Sequence, residues 1–76
     1  MRSVFVDVIL PFALEKNYTY AVPDEFVGVL SPGMRVEVPF RNKTYTGIVA
    51  KVHDISPQGY SPKPVLSLPD HLQVVN

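Results

Sequence analysis

Tyr18 and Tyr20 stand two apart in Tyr18-Thr19-Tyr20-Ala21-Val22. In an extended strand this spacing turns both rings to one face and Thr19 to the other. Neighbouring rings make a platform for nucleic-acid bases, each stacked base contributing about 1–3 kcal/mol. The same pattern equally serves core or cross-strand packing. Cations suited to a phosphate backbone come later, at Arg41, Lys43, Lys51 and Lys63. The other titratable groups form no recognisable catalyst. His53 and His71 are joined to no carboxylate pair and read as surface or loop residues. Asp24-Glu25 directly follows Pro23 and reads as a solvated turn. Asp7 sits in mid-strand, facing away from Val6 and Val8, and is expected to be partly buried beside a lysine. No two glycines lie close enough for a phosphate loop. With no cysteine, thiol catalysis, disulfides and Cys-ligated zinc or iron–sulfur sites are excluded. These residues suit binding rather than enzyme chemistry.

The elements that must position them are short. Eight prolines and four glycines punctuate the chain, and no segment sustains a helical period. A first strand runs from Val4 to Leu10 and ends at Pro11, its even positions all apolar and its odd face mixing Phe5 and Ile9 with Asp7. In the following loop Phe12 and Leu14 are expected to tuck under the sheet. A second strand, Tyr18 to Val22, stops at Pro23-Asp24, and Ser31-Pro32-Gly33 forms a turn. The third, Met34 to Val38, points Met34, Val36 and Val38 inward and Arg35 and Glu37 outward, with Pro39 and Phe40 closing it. The polar turn Arg41-Asn42-Lys43 leads to a fourth strand, Thr44 to Val52, in which Gly47 marks a bulge or tight bend. Val65 to Leu68 makes a fifth. The spacing predicts an all-β chain, a small antiparallel barrel or sandwich of 4–5 strands. OB-like and SH3-like barrels both fit. Residues 69–76 find no partner element and read as the tail of a chain that continues.

Size and charge narrow the function. Seventy-six residues and 8.5 kDa hold one small core. Seven basic residues balance seven acidic ones, which excludes a strongly basic, sequence-blind DNA binder. No apolar run approaches the roughly 20 residues of a membrane span, and Asp7 interrupts the first apolar stretch, so no membrane partner is expected. The absence of cysteine fits a reducing, cytoplasmic setting.

Four phrases in fixed order carry a resemblance: Val6-Asp7-Val8-Ile9-Leu10-Pro11, Tyr18-Thr19-Tyr20-Ala21-Val22-Pro23, Leu30-Ser31-Pro32-Gly33-Met34-Arg35-Val36-Glu37-Val38-Pro39-Phe40, and Tyr45-Thr46-Gly47-Ile48-Val49. Together they resemble the N-terminal domain of the PriA family of replication-restart helicases, from about residue 4 to residue 68. The most specific piece is Arg35-Val36-Glu37-Val38-Pro39-Phe40. The resemblance implies a DNA-binding module, likened to a circularly permuted OB fold, that recognises the 3′ end of the nascent leading strand at stalled forks. The family's pocket maps onto Tyr18, Thr19 and Tyr20, onto Arg41 after Val-Pro-Phe, and onto Lys63. Two positions depart from the family. Thr19 stands where some members have an acidic residue able to bond a base edge, and Arg41 where members commonly have glycine. The resemblance further implies that ATP-dependent helicase motifs, and the sites for ATP and zinc, lie in other domains of the parent. No cofactor is expected in residues 4–68, the binding domain itself. Implied partners are forked DNA, primosome proteins and single-stranded DNA-binding protein. A barrel that docks on the helicase core or on single-stranded DNA-binding protein is the alternative reading.

Overall fold

A computed structural model describes residues 3–12 and 17–69. Leu14, His71 and nearly all of the tail at 69–76 lie outside the described residues. Four strands form in chain order: β1 (Phe5–Ile9), β2 (Tyr18–Ala21), β3 (Arg35–Phe40) and β4 (Lys43–His53), with a single 3₁₀ turn at Asp24–Phe26. They make one antiparallel sheet in the order β2-β1-β4-β3. The sheet curls into a half-barrel, so the chain is all-β and OB-like, as its spacing predicts. Val6, Val8 and Leu10 of the first segment are wholly buried, together with Val36 and Val38 of β3 and Leu68. All but Leu68 follow from period-2 alternation. Met34 is only partly buried at the core's margin.

Both ends of β3 show how local chemistry sets the frame. Pro39 does not end the strand: it pairs with Thr44, and Phe40 pairs with Lys43. The amide of Glu37 bonds outward, away from β4, to Ser67 O at 2.9 Å. Two residues on, the nitrogen of Pro39 faces the same way, so its missing N–H removes no bond to β4. Arg41 and Asn42 then turn the chain with φ of 51° and 69°. Two consecutive left-handed residues give the type I′ geometry that matches strand twist in a two-residue hairpin.

Three expectations are corrected by the fold. The register shift lies between Asp7 and Val8, opposite Lys51 and Val49, so Ala50 is the extra residue and Gly47 is in regular register. Gly47 is required by close approach instead: a Cβ there would lie 2.4 Å from Val8 Cγ1 and 2.9 Å from the Ile9 carbonyl oxygen. The fifth strand is reduced to two isolated bridges, Ala21 with Pro64 and Glu37 with Ser67. The segment crosses from the β2 edge to the β3 edge between Val65 and Leu66, so neither edge gains a continuous ladder. It still joins the sheet's two edges. The amide of Ala21 bonds Lys63 O at 2.8 Å on one side, and the amide of Leu66 bonds Glu37 O at 2.7 Å on the other. Phe12, finally, does not tuck under the sheet: it is 49% exposed.

Candidate functional site

The alternation of β2 divides its side chains between the two faces of the sheet. Tyr20 points inward, is 4% exposed, and donates its hydroxyl to Pro39 O at 3.0 Å, tying β2 to the far edge of the curl. Burial pushes the Tyr20 phenol up from its ordinary value, with Tyr18 and Tyr60 adding to the shift, so the hydroxyl stays a neutral donor. Tyr18 is partly buried and meets Phe40 edge-on, ring centroids 5.1 Å apart. Thr19 points the opposite way and donates its hydroxyl to Asp7 Oδ1 at 2.8 Å.

Between the β2 edge and the β3–β4 hairpin lies a cleft of about 320 Å³. Tyr18, Thr19, Tyr20, Arg41 and Lys63 all line it. The curl therefore brings together all five positions singled out in the sequence. Pro39, Phe40, Tyr60 and Ser61 complete its walls and were not assigned to the site from sequence. Phe40 had a signal, since it directly precedes Arg41. Tyr60 and Ser61 had none, because the main-chain bonds of Ala21 to Lys63 and Val65 that bring their loop to the cleft join residues far apart in sequence. Arg41 does not fill the space. Its guanidinium lies over the Phe40 ring, 5.3 Å from the centroid, an arrangement favoured by the ring's quadrupole. Arg41 and Lys63 are the charged residues on the lining, and both are cationic.

Thr19 contributes to this cleft although its hydroxyl is held on the other face. Tyr20 and Tyr18 pair with Val6 and Val8 of β1, and the amide of Val22 bonds Val4 O at 2.9 Å, so the even-numbered peptides of β2 face β1. Those of Ala21 face outward and bond Lys63 and Val65. By the same period of two, the N–H and C=O of Thr19 point outward to the cleft. An edge peptide with one donor and one acceptor is a ready partner for a polar ligand.

Behind the sheet, Asp7 organises a second cluster. His53 Nε2 lies 2.8 Å from Asp7 Oδ1, and the Ile55 amide donates to His53 Nδ1 at 3.1 Å. With Nδ1 accepting, the ring presents Nε2–H to the carboxylate. Partial burial pushes the Asp7 carboxyl up, but the hydrogen bonds from His53 and Thr19, with the Lys51 charge across the strand, outweigh this and hold it below the ordinary value. Asp7 was expected beside a lysine and His53 on the surface. Lys51 is indeed the cross-strand neighbour of Asp7, but the hydrogen-bonding partners are Thr19 and His53, and His53 is a partly buried structural residue.

An OB-like half-barrel with an aromatic, cationic cleft on its concave edge is the architecture of a small nucleic-acid-binding module. The family model of the PriA 3′DNA-binding domain (3′BD) matches residues 7–76. The chain belongs to this family, and is thus a DNA-binding rather than a catalytic domain. No curated protein and no solved structure matches it.

Proposed function

We propose that the cleft seats the terminal nucleotide of a DNA strand ending in a free 3′-hydroxyl. In this way the domain directs a replication-restart helicase to the nascent leading strand at stalled forks. The observation that carries the reading is the cleft itself, open, about the volume of one nucleotide, and lined by Tyr18, Thr19 and Lys63 together. Tyr18, Phe40 and the 53% exposed Tyr60 offer aromatic surface to the base. Lys63 supplies a cation for the adjoining phosphate, and Arg41 a second one at the opposite wall. The outward N–H and C=O of Thr19 pair with polar edges of the base or sugar. A 3′-hydroxyl both donates and accepts, whereas in an internal nucleotide the same oxygen is tied into a phosphodiester. A site fitted to a terminal hydroxyl thereby rejects a continuing strand without reading sequence. Zero net charge agrees with this mode, since one terminal nucleotide needs only one or two cations.

The parent chain would supply ATP hydrolysis, a zinc site and contacts to primosome proteins and single-stranded DNA-binding protein. A cytoplasmic replication role follows from the same reading. Fluorescence anisotropy with two short strands, identical except for a 3′-hydroxyl or a 3′-phosphate, tests it. Tighter binding of the hydroxyl form is expected. Equal binding would reduce the site to generic strand contact. Binding of neither would favour a barrel that docks on protein.

A further inference from the structure

The aromatic surface does not stop at the cleft. Phe40, which forms its wall against Tyr18, also packs on Phe12 with centroids 5.0 Å apart, and Phe12 in turn meets Tyr45 at 4.8 Å. The rings form a connected patch that starts at the cleft wall, with Phe40 and Tyr45 partly buried against the core and Phe12 exposed. A lone exposed apolar residue needs no explanation, but Phe12 leaves half its ring in solvent at the end of a connected aromatic patch. The patch is flanked by positive charge, with Arg41 over Phe40 and the exposed Lys43 at the other end of the turn. On the β2 side of the cleft, main-chain bonds join Ala21 to Lys63 and Val65. Phe40 belongs both to the cleft wall and to this patch, so the two surfaces adjoin.

We propose that the Phe40–Phe12–Tyr45 track is a second binding surface, on which the bases immediately 5′ of the terminal nucleotide stack. Arg41 and Lys43 face the phosphates of those bases. This rests on the end-binding reading given above and extends it from one nucleotide to a short stretch of strand. Two ring-to-ring steps of 5.1 and 5.0 Å separate Tyr18 from Phe12. Stacked bases on one strand rise by about 3.4 Å each, so Phe12 lies within reach of the second or third base from the end. Stacking on rings tolerates any base, so the track lengthens the contact without adding sequence preference.

The test compares a thymidine mononucleotide with a pentathymidylate, both bearing a 3′-hydroxyl, titrated by calorimetry or NMR against the chain and its Phe12→Ala variant. The pentanucleotide is expected to bind the unaltered chain more tightly than the mononucleotide. Phe12→Ala should weaken pentanucleotide binding by about 5- to 30-fold and leave the mononucleotide unchanged. Phe12→Trp should restore the tight binding. An abasic residue at the second and third positions of the pentanucleotide should reproduce the loss with the unaltered protein, which separates stacking from phosphate contact. Unchanged pentanucleotide affinity in Phe12→Ala would overturn the track and leave the end-binding cleft standing. Equal losses for both ligands would also overturn it, by assigning Phe12 to support of the cleft. Failure of the unaltered chain to bind either ligand would overturn the end-binding reading and the track together.

Discussion

Gly47→Ala is the smallest change that should damage this fold. The added methyl would lie 2.4 Å from Val8 Cγ1, 2.9 Å from the Ile9 carbonyl oxygen and 3.2 Å from Leu10 Cδ2. Carbon atoms in contact prefer about 3.5–4.0 Å, so the first overlap exceeds 1 Å. Val8 is wholly buried and β-branched, which leaves its side chain no free rotamer to escape into. The Ile9 oxygen belongs to the backbone of β1, so the second overlap is relieved only by moving strands apart. Overpacking of this kind costs about 1–3 kcal/mol, and a clash with backbone belongs at the upper end. Restricting the unfolded chain returns about 0.4–1 kcal/mol. The net loss is about 2–3 kcal/mol, against a total stability of about 4–11 kcal/mol for a chain of this length. At about 4–8 °C per kcal/mol, the melting temperature should fall by about 10–20 °C. Thermal melts followed by circular dichroism read this directly. Adding Val8→Ala to Gly47→Ala should cost less than the two single losses together, because the residues share one contact. An unchanged or raised melting temperature in Gly47→Ala would refute the close approach of β1 and β4.

Two further outcomes follow from the site and its support. Asp7→Asn keeps the shape but not the charge that accepts from Thr19 and His53, and should cost about 1–2 kcal/mol at neutral pH. Because the folded carboxyl is held below its unfolded value of about 3.9, its contribution is complete well above that pH and is lost as the pH falls through the folded value. The melting temperatures of the two proteins should therefore differ above pH about 5, the gap should start to close as the pH falls below about 4, and it should vanish only below the folded value; a gap that does not shrink on acidification below about 4 would refute the assignment. Lys63→Ala should weaken binding of 3′-ended DNA by about 1 kcal/mol and lower the salt slope by about one unit, as for a single phosphate contact. Identical affinity at all salt concentrations would remove Lys63 from the site.

Much of the fold was legible because half-buried strands write their faces into the sequence. Val6, Val8, Val36 and Val38 recur at every second position and each is fully buried, though Phe5 beside Val6 is buried as well. Where legibility failed, a partner distant in sequence decided the outcome. Pro39 looks like a strand end until it is known that its nitrogen faces away from β4. Gly47 looks like a bulge until Val8 and Ile9 are seen to press against it. The Val65–Leu68 segment has strand composition, yet the chain crosses from the β2 edge to the β3 edge between Val65 and Leu66 and makes only one bridge to each. His53 carried no local sign of its role, because its partner Asp7 lies 46 residues away in sequence.

Thr19 shows most clearly how the site depends on tertiary context. Alternation alone places its hydroxyl on the face opposite Tyr18 and Tyr20, and the structure occupies that hydroxyl with Asp7. Judged by side chains, the residue has left the cleft, and the replacement of an acidic family residue would look like lost function. Judged by backbone, it remains. β1 takes the even-numbered peptides of β2, and the bridge to Lys63 and Val65 takes only those of Ala21. What is left at the edge is the Thr19 peptide group, facing the cleft between an aromatic wall and two cations. A peptide group offers its donor and acceptor whatever side chain it carries. The Asp7–Thr19–His53 cluster then has a purpose beyond stability. By anchoring the Thr19 side chain from behind, it fixes the orientation of an edge peptide that borders the cleft.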